Sequence, residues 1–254
     1  MSLFYVSLFV TTMWLAATDN MIYAWIIIAL LFPVSFAFII FNSLKFNRLF
    51  LAGKTEEAFQ ELDKQENKFL NKPKALNQIR VTRASLLSNI GEFAASNALL
   101  ESIPGKLDPN LEAMRQGLLG FNYYMSGSRM SEASDLIRQS LRSLNQWGSY
   151  LILAAVEREL GNEEASRQAL DTYLDKRKQN VSFVLGKTLI LYNKKLLNEL
   201  EEYLLGRYYL AGYEEETAYT HFAAAAALPS NGPYARLSKE MLEQLSLSTT
   251  SAIR

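Results

Sequence analysis

A short pattern that returns along the chain constrains the fold more than any other feature. A glycine closes an apolar helical pattern, polar residues follow, and a small residue comes next. It appears in "LAGKTEEAFQEL" with Gly53 and Ala58, and in "SNIGEFAASNALL" with Gly91 and Ser96. It returns in "YMSGSRMSEASDLI" with Gly127 and Ala133, and in "ELGNEEASRQAL" with Gly161 and Ala165. "LAGYEEETAYTHF", with Gly212 and Ala218, is the last copy. The glycines are 38, 36, 34 and 51 residues apart. Spacing of this size belongs to repeat architectures, in which each unit buries its apolar face only against its neighbours. Glycine near the end of a helix accepts the left-handed cap conformation. The acids in "KTEE", "GNEE" and "YEEE" suit the positive end of a following helix. A small residue then lets the two helices of a hairpin approach closely. Each unit therefore reads as an α-hairpin, and the 51-residue step as one unit plus an insertion.

Charge is distributed unevenly. Residues 1–41 hold one charged residue, Asp19. Two apolar stretches lie there, 2–17 and 21–41, joined by "TDN". At 1.5 Å per residue the second covers a bilayer core of about 30 Å, and the first about 24 Å. The pair predicts a transmembrane hairpin. A cleaved signal peptide is disfavoured: no cation precedes the apolar run, and "WLAAT" is a poor cleavage site. Lys45, Arg48 and Lys54 follow the second stretch, and the turn between the two has no Lys or Arg. That asymmetry places the remainder of the chain in the cytoplasm. Residues 42–83 carry nine Lys or Arg against five Asp or Glu. Lys64, Lys68, Lys72, Lys74, Arg80 and Arg83 of that segment are candidates for contact with anionic headgroups.

Several chemistries are disfavoured by residue counts. There is no cysteine and one histidine, so thiolate catalysis, disulfides and a multi-His metal site within one chain are excluded. Lys plus Arg equals Asp plus Glu at 26 each, so no net field points to nucleic acid. His221 has only Glu214, Glu215 and Glu216 near it in sequence, and a general base needs an orienting partner and a substrate pocket. The adjacent pairs Glu56/Glu57, Glu163/Glu164 and Glu201/Glu202 point about 100° apart on a helix and cannot act as facing carboxylates. The reading is a chain without catalytic residues, metal or cofactor.

The segment "LGRYYLAGYEEETAYTHFAAAAALP" resembles a tetratricopeptide repeat. Leu205, Gly206, Tyr209, Ala218, Phe222 and Ala225 fall at the consensus offsets, and Pro229 comes one residue early. Leu119, Gly120, Tyr123 and Ala133 follow next, with one extra residue before the alanine. Leu153 and Ala154 fit in part, and the first unit fits in Gly53 and Ala58. Gly91 and Gly161 mark the turns of the second and fourth units. The consensus tryptophan is absent; Gln116 and Glu202 stand in its place. The resemblance is closest over 115–229. It implies that the first helices of the units line a concave groove. By correspondence that groove would hold Met114, Phe121, Tyr124 and Met125, then Arg158 and Glu159, then Tyr203, Arg207 and Leu210. The Lys/Asn clamp with which some members hold a C-terminal carboxylate is not found.

The expected fold is all-α. It comprises a transmembrane hairpin over 1–44, then a tetratricopeptide-like α-solenoid of about five helical hairpins over 45–247. An insertion is placed near 180–198, a capping helix near 233–247 and a flexible tail at 248–254. The second membrane helix is expected to run directly into the first repeat. The expected function is a membrane-anchored, non-enzymatic scaffold in the cytoplasmic membrane of a bacterium. It would bind a protein partner and help assemble or regulate a membrane complex, with the bilayer as its other partner and no nucleic acid or small-molecule substrate. The alternatives are an extracytoplasmic assembly factor for exported proteins and an accessory subunit of a membrane enzyme or transporter.

Overall fold

A computed structural model describes residues 45–105, 107–179, 194–228 and 232–251. The expected membrane hairpin, its junction with the first repeat, Pro229 and most of the expected insertion lie outside the described residues. The described residues are all-helical: α1 (Lys45–Leu51), α2 (Thr55–Lys68), α3 (Pro73–Asn89), α4 (Phe93–Ser102), α5 (Pro109–Met125), α6 (Met130–Ser143), α7 (Trp147–Glu159), α8 (Glu163–Gln179), α9 (Lys194–Ala211), α10 (Glu215–Ala227) and α11 (Pro233–Ser251). None of these helices is long and apolar enough to cross a membrane. α11 runs past Leu247 to Ser251, so four residues of the expected tail are helical. The chain divides into two compact units, Met1–Ala58 and Phe59–Arg254.

In the larger unit the helices stack as hairpins. α3 packs on α4, α5 on α6, α7 on α8 and α9 on α10. The first helices also stack on one another in the order α3, α5, α7, α9. α4 and α6 each also touch the first helix of the next hairpin, and α11 closes the array against α9 and α10. This is a solenoid-like arrangement, in which contacts are made between neighbours. α9 packs directly on α7, so the long fourth step leaves the stacking of first helices unbroken.

The recurring turn has one hydrogen-bonding pattern. Its left-handed residue donates to the carbonyl three back, and the next residue donates to the carbonyl five back. The pairs are Gly53 to Phe50 with Lys54 to Leu49, and Gly91 to Ser88 with Glu92 to Leu87. Gly127 to Tyr124 with Ser128 to Tyr123, and Gly161 to Arg158 with Asn162 to Glu157, repeat it. These are Schellman closures, which satisfy carbonyls that a helix end leaves free. The fifth copy corrects the sequence reading. Its left-handed residue is Tyr213, at φ 60°, and not Gly212. Tyr213 donates to Leu210 and Glu214 to Tyr209. Gly212 is small for another reason: a Cβ there would run into the Arg158 guanidinium.

Tyr213 is 93% exposed, so its ring contributes little packing. A non-glycine residue in the left-handed region costs about 1–2 kcal/mol, and glycine's extra freedom in the unfolded chain returns part of that. Tyr213→Gly is expected to raise stability by about 0.5–1 kcal/mol in urea titrations of the detergent-solubilised chain. A loss of stability would show that the ring has a packing role.

The register also identifies the small residue of each hairpin. Five positions after the left-handed residue come Ala58, Ser96, Ser166 and Ala218, all with essentially no exposed surface. Ser166 takes this place in the fourth unit; Ala165, expected from sequence, is half-buried. In the third unit Ala133 comes six later, and the extra residue is absorbed by Arg129, itself left-handed at φ 49°. Where the first helix presents alanine, the second presents serine. Ser96 Oγ donates to the Ala84 carbonyl and Ser166 Oγ to the Ala154 carbonyl, each at 2.8 Å. Where the first helix presents glycine, no such bond forms and the helices touch more closely. A Cβ on Gly120 would lie 2.9 Å from the Ala133 carbonyl oxygen, and one on Gly206 would lie 2.6 Å from the Phe222 ring.

Candidate partner-binding surface

The residues expected in the groove do not share one environment. Phe121 is buried and stands edge-on to Phe93 of α4, at 6.1 Å and 84°. It faces the preceding hairpin, across the joint between α4 and α5. Tyr203 is also buried, with its ring 5.9 Å from both Phe222 and Tyr234. Tyr124 has no exposed surface. These three are core residues, and the expectation that they present side chains to a partner is corrected. The reason is the twofold duty of a first helix, which packs against its own second helix and against the next hairpin. Large aromatics at those positions fill the core before they reach solvent. Met114 is 38% exposed, and Met125 and Leu210 are half-buried.

Arg207, Tyr124 and Glu159 do come together, one from each of α9, α5 and α7. The Arg207 guanidinium lies 4.2 Å from the centroid of the Tyr124 ring. Its Nη2 meets Glu159 Oε1 at 2.5 Å, and the Tyr124 hydroxyl donates to the same oxygen at 3.0 Å. Burial pushes the Tyr124 phenol well above its ordinary range, so the hydroxyl stays a donor. The neighbouring oxygens of Tyr124, Tyr203 and Glu159 outweigh burial and hold Arg207 charged. The cluster clamps three successive hairpins, and its charges neutralise one another. Arg158 is drawn away from the groove to the hairpin turns. It pairs with Glu163 and with Glu214 at 3.6 Å, and lies 5.2 Å from the Tyr208 ring centroid.

His221 has a partner that sequence distance hid. Its Nδ1 lies 2.8 Å from Glu202 Oε2, and its ring stacks on Tyr209 with centroids 5.2 Å apart and planes 2° from parallel. Glu202 stands where the repeat consensus has its tryptophan, so that departure was the available signal. A carboxylate opposite Nδ1 favours a proton on that nitrogen and orients the ring. Such a pair could serve a base, but it lacks a nucleophile. The Thr220 hydroxyl donates to the Glu216 carbonyl at 3.0 Å. Among the described residues no group of His, Cys, Asp and Glu is arranged to hold a metal ion. An open hollow along α8 is lined by Glu163, Glu164, Asp171 and Asp175 with Arg167. It is polar and wet, a poor place for chemistry that needs water excluded.

Other charged and polar side chains are used inside the fold. Glu157, 2% exposed, accepts from Ser134, from Arg138 Nη2 at 2.9 Å and from Asn162 Nδ2 at 2.7 Å. Asn122 donates to Ser96 Oγ at 2.8 Å and to Asn97 at 2.9 Å, and accepts from Ser88 at 2.7 Å. Tyr173 and Arg177 of α8 both reach Glu201 of α9. Glu199 accepts the Ala235 amide at 2.6 Å at the start of α11. Each of these joins two or more helices. Glu157, Glu199, Glu201 and Asn122 are thus spent on joints of the stack. No family profile, curated protein or solved structure matches the chain.

Proposed function

We propose that the protein is a membrane-anchored, non-enzymatic scaffold of tetratricopeptide type. Its stacked hairpins bind a partner protein and help assemble or regulate a membrane complex, with the stack on the cytoplasmic side. The observation that carries the reading is the use of polar chemistry. Glu157, Glu159, Glu199, Arg207 and His221 each meet a partner within the fold, where they join helices. A rigid solenoid-like stack is a binding surface in its own right. The apolar stretches 2–17 and 21–41, with Lys45, Arg48 and Lys54 after them, support the anchor and its orientation.

The test uses exposed positions. Met114 lies on a first helix and Tyr219, 52% exposed, on a second helix. Intact-complex mass spectrometry of detergent-extracted protein should show a heteromeric assembly. Met114→Glu should strip the partner if the first helices receive it; Tyr219→Glu should do so if the second helices do. A complex unchanged in both, or a lone chain in the wild type, would sink the scaffold reading. A reporter fused after Arg254 and active only outside the cytoplasm would reverse the orientation.

A further inference from the structure

The turn between α2 and α3 contains "KFLNKPK" (68–74). Leu70 is 59% exposed at its tip and Phe69 is half-buried beside it. Lysines surround the pair. Lys68 Nζ lies 5.4 Å and Lys72 Nζ 5.7 Å from the Phe69 ring centroid. Lys74 is exposed and has no partner among the described residues. Lys64 reaches Glu61 only at 4.0 Å, with its side chain 71% exposed.

The acids of this region face elsewhere. Arg83 of α3 pairs with Asp63, and its Nε meets Glu66 Oε1 at 2.8 Å. Arg83 also lies 5.8 Å from the Phe59 ring centroid. The basic run is therefore split. Arg83 is an internal strut that takes Asp63 and Glu66, Lys64 stands 4.0 Å from Glu61, and Lys68, Lys72 and Lys74 keep their charge for the outside.

We propose that this turn docks on an anionic lipid surface. Phe69 and Leu70 enter the headgroup boundary, and Lys64, Lys68, Lys72 and Lys74 meet the phosphates. Ammonium groups gathered around an apolar ring suit that interface, where lysine heads meet phosphates and apolar side chains meet the acyl boundary. Nucleic acid would also meet the lysines, but it has no apolar layer to receive Leu70. The proposal rests in part on the membrane-anchor reading of the apolar stretches 2–17 and 21–41.

The chain has no cysteine, so Asn71→Cys provides one labelling site beside Leu70. The full-length protein, carrying an environment-sensitive dye there, is reconstituted into vesicles with brominated acyl chains. Half the samples are phosphatidylcholine alone and half include phosphatidylglycerol. Strong quenching is expected with phosphatidylglycerol. It should fall several-fold in phosphatidylcholine, and equally after joint Lys→Gln substitution of the four lysines. Phe69→Ser with Leu70→Ser, checked for helicity, should abolish it. A dye at Tyr213→Cys should remain unquenched. Absence of quenching at position 71, the same quenching at 213, or quenching indifferent to phosphatidylglycerol and to the lysines would overturn the proposal. Carbonate washing of the same vesicles reports the anchor separately. Protein stripped by carbonate yet quenched at 71 would remove the anchor and keep the turn; protein retained but unquenched would do the reverse.

Discussion

Gly120→Ala is expected to lower the unfolding free energy by about 3 kcal/mol, at the upper end of ordinary overpacking costs. The new Cβ would sit 2.8 Å from Ile137 Cγ1, 2.9 Å from the Ala133 carbonyl oxygen and 3.2 Å from the Ile137 amide nitrogen. Two of those atoms are backbone, so α5 and α6 must separate, and the close packing of Gly120 on Ala133 and Ile137 is lost. Gly206→Ala meets only a ring: Phe222 Cδ1 and Cε1 at 2.6 Å and Cγ at 3.0 Å. A smaller partner relieves that clash. Gly206→Ala alone should cost about 2 kcal/mol, and adding Phe222→Leu should recover part of it. Gly148 is the control. Nothing lies within 4 Å of a Cβ there, in the first turn of α7, so Gly148→Ala should be neutral or stabilising by up to about 1 kcal/mol. Urea titrations of the three variants should rank them 120, 206, 148. A Gly120→Ala protein as stable as wild type would mean that the hairpin glycines are not close-approach residues.

These glycines also show what the sequence makes legible. Turn residues are read reliably because one backbone conformation, the left-handed cap, selects glycine almost alone; four of the five Schellman positions were visible as Gly53, Gly91, Gly127 and Gly161. The fifth was misplaced by one because Tyr213 tolerates that conformation and Gly212 next to it is small to clear Arg158. The close-approach positions were only half legible. Gly120 and Gly206 carry the repeat resemblance, while Ala84/Ser96 and Ala154/Ser166 solve the same problem with a hydrogen bond. The surface was the least legible part. Phe121 and Tyr203 match groove positions by offset, but the offset does not say which side of a helix the next hairpin covers. The Tyr124–Glu159–Arg207 clamp and the Glu202–His221 pair join residues 19 to 83 apart, and nothing local in the sequence couples them.

Two buried glutamates should respond oppositely to losing their charge. Burial alone would raise the Glu157 carboxyl, but hydrogen bonds from Ser134, Asn162 and Arg138 outweigh it and hold the group below its ordinary value of 4.5. The folded state therefore prefers the carboxylate. Its contribution is present above about pH 4.5 and is lost as pH falls through the lower folded value. Glu199 is the reverse case: burial raises it, and the amides of Ala235 and Tyr234 only partly offset that. Its contribution is present below the ordinary value and is lost as pH rises through the raised one. At neutral pH Glu157→Gln removes a carboxylate that unites α6, α7 and the turn into α8. Breaking such a pair from one side leaves Ser134 and Asn162 facing an amide, and a cost of about 3 kcal/mol is expected, moderated because Arg138 is 45% exposed and can return to water. Glu199→Gln keeps an oxygen for the Ala235 amide and discards a disfavoured charge, so it should be neutral or stabilising. Urea midpoints measured from neutral to acid pH separate the two. The Glu157→Gln protein should lose less stability than wild type below about pH 4.5, because its deficit is the carboxylate itself. The Glu199→Gln protein should lack the gain that wild type shows as Glu199 takes up its proton. A Glu157→Gln protein as stable as wild type at neutral pH would mean that burial, not hydrogen bonding, governs Glu157 as well.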